Sequence, residues 1–161
     1  MRAAYIEDLI SQDQYSLTGE ILHHLVNVIR IGKEEELLLL NGKGLSVSTL
    51  VTEVTKKSLT LKKVSEKTTE SKFCIDLILG IPKKEALELS LKEAVELGFR
   101  KIYLVRGSYS QNKVPEKERI QSLLISALEQ SNSPFLPEVS EVSWEAVPWN
   151  DYGTVLLLDH S

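Results

Sequence analysis

The chain is 161 residues long, 42% hydrophobic and 26% charged, with a formal net charge of −4. That is enough for one substantial core or two small ones, and it excludes a disordered chain, a membrane-spanning chain and a strongly basic nucleic-acid coat. The single cysteine, Cys74, lies in an apolar run, which excludes a disulfide framework and a cysteine-based metal site.

The N-terminal MRAAYIEDLI has no charged segment followed by a long apolar core, so no secretion signal is read and a reducing cytoplasm is expected. Ile21, Leu22, Leu25, Val28 and Ile29 recur at helical spacing and predict one amphipathic helix. It carries His23 and His24, whose adjacent positions point about 100° apart and poorly share one metal ion. His24 to Arg30 also sets an imidazole and a guanidinium six residues apart on that helix. Next come Glu36 to Leu40, a turn at Asn41-Gly42-Lys43-Gly44, a β-rich run from Leu45 to Val54, a Lys56-Lys57 tip and Ser58 to Leu61. Asn-Gly between apolar runs signals a hairpin, so this part predicts a small N-terminal β-barrel. Up to Val64, eight Lys and Arg balance eight Asp and Glu, and the later bases gather on hairpin tips and strands where they can meet phosphates.

Residues 65–72 contain no apolar side chain and are read as a linker, dividing a domain at 1–66 from one at 72–161. Phe73 to Gly80 predicts a strand closed by glycine. Pro82, the stripe Leu87, Leu91, Ala94 and Val95, and Gly98 predict a helix with an ordinary start and a left-handed stop. Lys101 to Val105 repeats the strand, which implies a parallel pair joined by a crossover helix. A second helix opens at Pro115, places Ile120, Leu123, Leu124, Ala127 and Leu128 on one face, and ends near Gln130. After a loop-rich stretch with Pro134, Pro137, Trp144, Pro148 and Trp149, Thr154 to Leu158 reads as a central parallel strand. Because only Asp159-His160-Ser161 follows, the expectation is a fragment whose α/β sheet continues beyond Ser161. The fold class expected is α/β with a small N-terminal β-barrel.

No GxGxxG, P-loop, HExxH, GxSxG or paired cysteine occurs. What the chain does carry is an ordered series: Arg2 and Tyr5, His24 to Arg30, Asn41 to Gly44, Ile81-Pro82-Lys83, Lys92 with Glu96-Leu97-Gly98, Glu118-Arg119, Glu129-Gln130-Ser131, and Pro137. In order and spacing this resembles the RsmE-type ribosomal RNA methyltransferases over nearly the whole chain. It departs from them at Ser108-Tyr109-Ser110, where Tyr109 stands in place of an arginine, and at Ser133, where another arginine is replaced. The Gly-Pro-Glu-Gly-Gly loop expected after Leu158 is not in this sequence.

The resemblance implies a PUA-like barrel followed by an incomplete SPOUT domain, the α/β knot. It further implies methyl transfer from S-adenosylmethionine to N3 of a uridine in 16S ribosomal RNA, carried out by a homodimer. The partner is then 16S ribosomal RNA or the small ribosomal subunit, with no membrane and no metal. Arg2, Arg30 and Lys43 become candidates for the RNA backbone. Lys83 and Arg119 near helix starts and Gln130 near a helix end are assigned to the face that meets RNA or the second subunit. Glu96 is read as structural, pairing with Lys92. Leu158 and His160 are assigned to the cofactor-facing loop, on position alone, and no catalytic base is named. The alternative is a non-catalytic RNA- or ribosome-binding protein.

Overall fold

In the computed structural model, described for residues 1–70, 75–107 and 113–157, the chain is built around two sheets. Five strands, β1 (Arg2–Tyr5), β2 (Gln14–Leu17), β3 (Glu36–Leu40), β4 (Leu45–Val54) and β5 (Leu59–Thr68), form the first in the order β1-β3-β4-β5-β2. The sheet is not closed into a barrel, because β1 and β2 stand at its two edges and do not pair. A short helix, α1 (Gly19–His23), runs directly into a π-helical turn at His24–Val28. Leu22 and Leu25 from that segment are buried with Ala4, Tyr15, Leu17, Leu39, Val47 and Leu61, so the helix covers the apolar face of the sheet.

The π turn corrects the expected helical stripe. Widening the turn to i→i+5 carries Val28 out of register, and it stands 63% exposed. Residues 65–68, read as linker, instead extend β5 and pair with Leu45–Ser48. Their polar side chains are compatible with that because this end of β5 is exposed along its length.

The second sheet has the order β6-β7-β8, all parallel: β6 (Asp76–Gly80), β7 (Lys101–Val105) and β8 (Glu138–Val142). Two helices, α2 (Lys84–Leu97) and α3 (Lys117–Ser131), cross between these strands. Both begin two residues after their proline, at Lys84 and Lys117, and both end on a left-handed residue, Gly98 at φ +77° and Asn132 at φ +55°. β8 falls in the stretch read as loop. Its Glu-Val-Ser-Glu-Val pattern is that of an edge strand, whose charges discourage further pairing.

One face of this sheet, with Ile102 and Leu104 at its centre, packs on Leu87, Leu91, Val95, Leu124 and Leu128. The same cluster contains Ala3, Leu38 and Leu40 from the first sheet, so the two sheets share one apolar seam through α3. Residues 154–157 do not form the expected strand. Leu156 is 86% exposed and Leu157 83% exposed, for no described strand lies alongside to take their backbone hydrogen bonds.

Candidate nucleic-acid interface

The first sheet brings Arg2 and Arg30 together across 28 positions of sequence. Arg30 follows the π turn in the left-handed region, φ +57°, and its carbonyl accepts from the Arg2 guanidinium at 3.5 Å. Arg2 is also ion-paired to Glu35 at 2.6 Å, and the same carboxylate accepts the Gly32 N–H. The corner therefore presents two guanidiniums with one already neutralised. Both arginines are exposed, as is His24.

Lys43 sits on the Asn41–Gly44 turn, which Asn41 closes by accepting the N–H groups of Lys43 and Leu45 at 2.8 and 3.0 Å. This turn is the joint between the sheets. Lys43 bridges Phe135, Gly42 accepts from Leu136, Gly44 donates to the Pro134 carbonyl, and Gly44 accepts from Thr69. A cavity of about 720 Å³ opens beside it, with Leu104, Ile120, Leu124 and Val139 as an apolar wall, and Lys43 and Lys117 share its lining with Glu116, Glu138 and Glu141.

The remaining candidates are dispersed. Lys83 is the residue before α2 and is exposed. Arg119 is held by Glu88 through contacts at 3.1 Å, so its guanidinium ties α3 to α2. Gln130 is exposed beside Glu129, whose carboxylate accepts the Tyr5 N–H at 3.0 Å. Lys92 and Glu96, both on α2, form no ion pair, contrary to expectation. Leu158, His160, Tyr109 and Cys74 lie outside the described residues.

A second group of polar side chains was not anticipated from sequence. Asp76, at the start of β6, has a side chain only 1% exposed and receives a two-pronged contact from Arg100 at 2.9 and 2.6 Å and the Tyr152 hydroxyl at 2.8 Å. Burial pushes this carboxyl up, but the hydrogen bonds from Arg100 and Tyr152 outweigh it and hold the group below the ordinary carboxylate range. The Tyr152 hydroxyl moves the other way, raised by its own burial and by its hydrogen bonds to Asp76 and Tyr103. The cluster pins the 3₁₀ turns at Trp144–Ala146 and Trp149–Asp151 near the sheet. An aspartate opening an otherwise apolar strand, with an arginine preceding the next, was the available signal.

At the carboxyl end of the second sheet the described residues leave the strand ends uncovered. Gly80, Arg106 and Gly107 are exposed, and a Cβ at Gly80 would meet nothing within 4 Å. In parallel α/β sheets that end is where ligands bind.

Comparison with known proteins adds the following. Residues 69–150, more than half of the chain, match a family described as an RNA methyltransferase domain, and residues 17–64 match an RNA methyltransferase PUA domain. Ribosomal RNA small subunit methyltransferase E of Bacillus subtilis (strain 168) is 27% identical over 137 residues, covering 80% of this chain and 53% of that protein. Its counterpart from Buchnera aphidicola subsp. Schizaphis graminum is 27% identical over 154 residues, covering 90% and 62%. The chain thus spans about half the length of the curated relatives it matches. A crystal structure of ribosomal RNA small subunit methyltransferase E from Neisseria gonorrhoeae, bound to S-adenosyl methionine, superposes with a TM-score of 0.75 at 28% identity, over 89% of this chain and 62% of that one.

Proposed function

Because the chain belongs to the RNA methyltransferase family, we propose that it acts in the S-adenosylmethionine-dependent methylation of N3 of a uridine in 16S ribosomal RNA, in the cytoplasm and as a homodimer. The observation that carries this reading is the likeness to the Neisseria protein over 89% of this chain, accompanied by the two family matches at residues 17–64 and 69–150. In this reading residues 1–66 form the RNA-binding unit and residues 72–161 belong to the methyl-transfer unit. Arg2 and Arg30 grip the RNA backbone at the open corner of the first sheet, and Lys43 does so at the joint. Lys83 and Gln130 face RNA or the second subunit. Arg119 joins them less directly, since Glu88 already occupies its guanidinium.

The carboxyl end of β6 and β7 is the side of a parallel sheet where ligands bind, and among the described residues a Cβ at Gly80 would meet nothing within 4 Å, which is compatible with a group approaching there. Leu158 and His160 are assigned to that cofactor. S-adenosylmethionine supplies the methyl group as a sulfonium electrophile. What the described residues contribute is placement: phosphate contacts fix where the RNA lies without reading its sequence, and orientation of a weakly acidic N3 supplies much of the rate.

The test uses tritium-labelled S-adenosylmethionine, small ribosomal subunits lacking the modification, and this chain joined to the cofactor-loop segment that the resemblance places after Leu158. Label is expected in 16S RNA, with reverse transcriptase arresting at one uridine because an N3 methyl blocks the Watson–Crick edge. Label without arrest points to another atom. RNA retention without label replaces the enzyme with a non-catalytic RNA binder.

A further inference from the structure

We propose that the groove between α1 with its π turn and the β4–β5 hairpin tip binds the backbone of single-stranded RNA, at a place separate from Arg2, Arg30 and Lys43. The inference rests on the RNA reading above and gives it a second surface. The groove encloses about 860 Å³. Its floor is apolar, made by Leu22, Val26 and Val54, and its rim is polar, made by His23 and Asn27 on one side and Lys56 and Lys57 on the other. No carboxylate lines it, in a chain whose net charge is −4. Neither lysine has an ion pair among the described residues, and both are exposed.

The tip that carries the lysines is fixed in advance. Thr55 Oγ1 accepts the N–H groups of Lys57 and Ser58 at 3.2 and 2.9 Å and donates to the Ser58 carbonyl at 3.1 Å, while the Thr55 N–H bonds the same carbonyl. A turn already closed loses little backbone entropy when an anion arrives. A further depression shares Val54 with the groove and is lined by Lys33 and Glu53 among others, so the balance of bases over carboxylates is confined to the groove itself. An unpaired nucleotide can lay its base on the apolar floor while its phosphates meet the lysines. A duplex hides its base faces and cannot use that floor.

The experiment measures fluorescence anisotropy of the full chain with a labelled twelve-nucleotide oligouridylate across a potassium chloride series, beside a duplex RNA of equal length. The Lys56→Ala/Lys57→Ala variant is expected to bind the oligouridylate about ten-fold more weakly at 0.1 M salt. Its log–log salt slope should be shallower by about 1.4, two phosphates at ~0.7 each. Lys62→Ala, exposed on β5 outside the groove, should change neither quantity. Unchanged affinity and slope in the double variant, an equal loss for the duplex, or the same loss at Lys62 overturns the proposal while leaving RNA binding intact. Failure of the unaltered protein to bind either RNA overturns the RNA reading itself.

Discussion

Arg30 holds a left-handed backbone, a conformation that side-chain-bearing residues adopt sparingly, and there its carbonyl meets Arg2. The sequence marked both arginines as candidates, but their meeting and the claim of Glu35 on Arg2 follow from the pairing of β1 with β3. If Arg30 contacts phosphate, Arg30→Ala should weaken binding to single-stranded RNA and flatten the salt slope by about 0.7; an unaltered slope takes it out of the interface. Asp76 poses a different case, since its role is to satisfy groups rather than to display charge. Asp76→Asn removes the buried carboxylate that accepts from Arg100 and the Tyr152 hydroxyl, and urea unfolding at pH 7 should record a loss of about 2 kcal/mol. The sign with pH follows from a carboxyl held below its ordinary value of 3.8. Its contribution is complete above that value and is lost as pH falls through the lower folded value, so the gap between the two proteins should close in acid.

At the level of elements, the helices of the α/β half were the most legible, because proline before the start, an apolar stripe and a left-handed stop are all local signals. Gly98 and Gly44 separate what such signals contain from what they omit. Both have positive φ, but a Cβ on Gly98 would meet nothing within 4 Å, whereas one on Gly44 would lie 2.4 Å from the Thr69 carbonyl oxygen. Gly98→Ala should therefore cost only the left-handed strain, about 1 kcal/mol in thermal unfolding. Gly44→Ala should cost more, above ~2 kcal/mol, since backbone must move at the joint between the sheets. Equal costs would contradict that assignment. The π turn, β8 and the far end of β5 were hidden for a common reason. Each depends on partners distant in sequence: the core that draws in Leu25, the parallel neighbour β7, and the opposite strand β4.

For the whole molecule, the decisive feature is that Ala3, Leu38 and Leu40 of the first sheet belong to the core of the second. Leu40 is fully buried there, and Leu40→Ala should cost about 2–5 kcal/mol. Hydrogen exchange should then accelerate in both β4 and α2, and confinement of the loss to one sheet would refute a shared core. Glu129→Ala removes the acceptor of the Tyr5 N–H and should cost about 1 kcal/mol without altering either sheet's own ladder. The amino-acid sequence alone determined the α/β character, the hairpin run, the crossover helices, the candidate cations and the family likeness, since periodicity, turn chemistry and motif order are written in neighbouring residues. Tertiary structure decided which cations stand together, which are already paired, that the first sheet stays open with a helix packed on its apolar face, and that a lysine-tipped groove faces α1. Those outcomes depend on long-range packing and on where charge is left unbalanced, and neither quantity has a local signature.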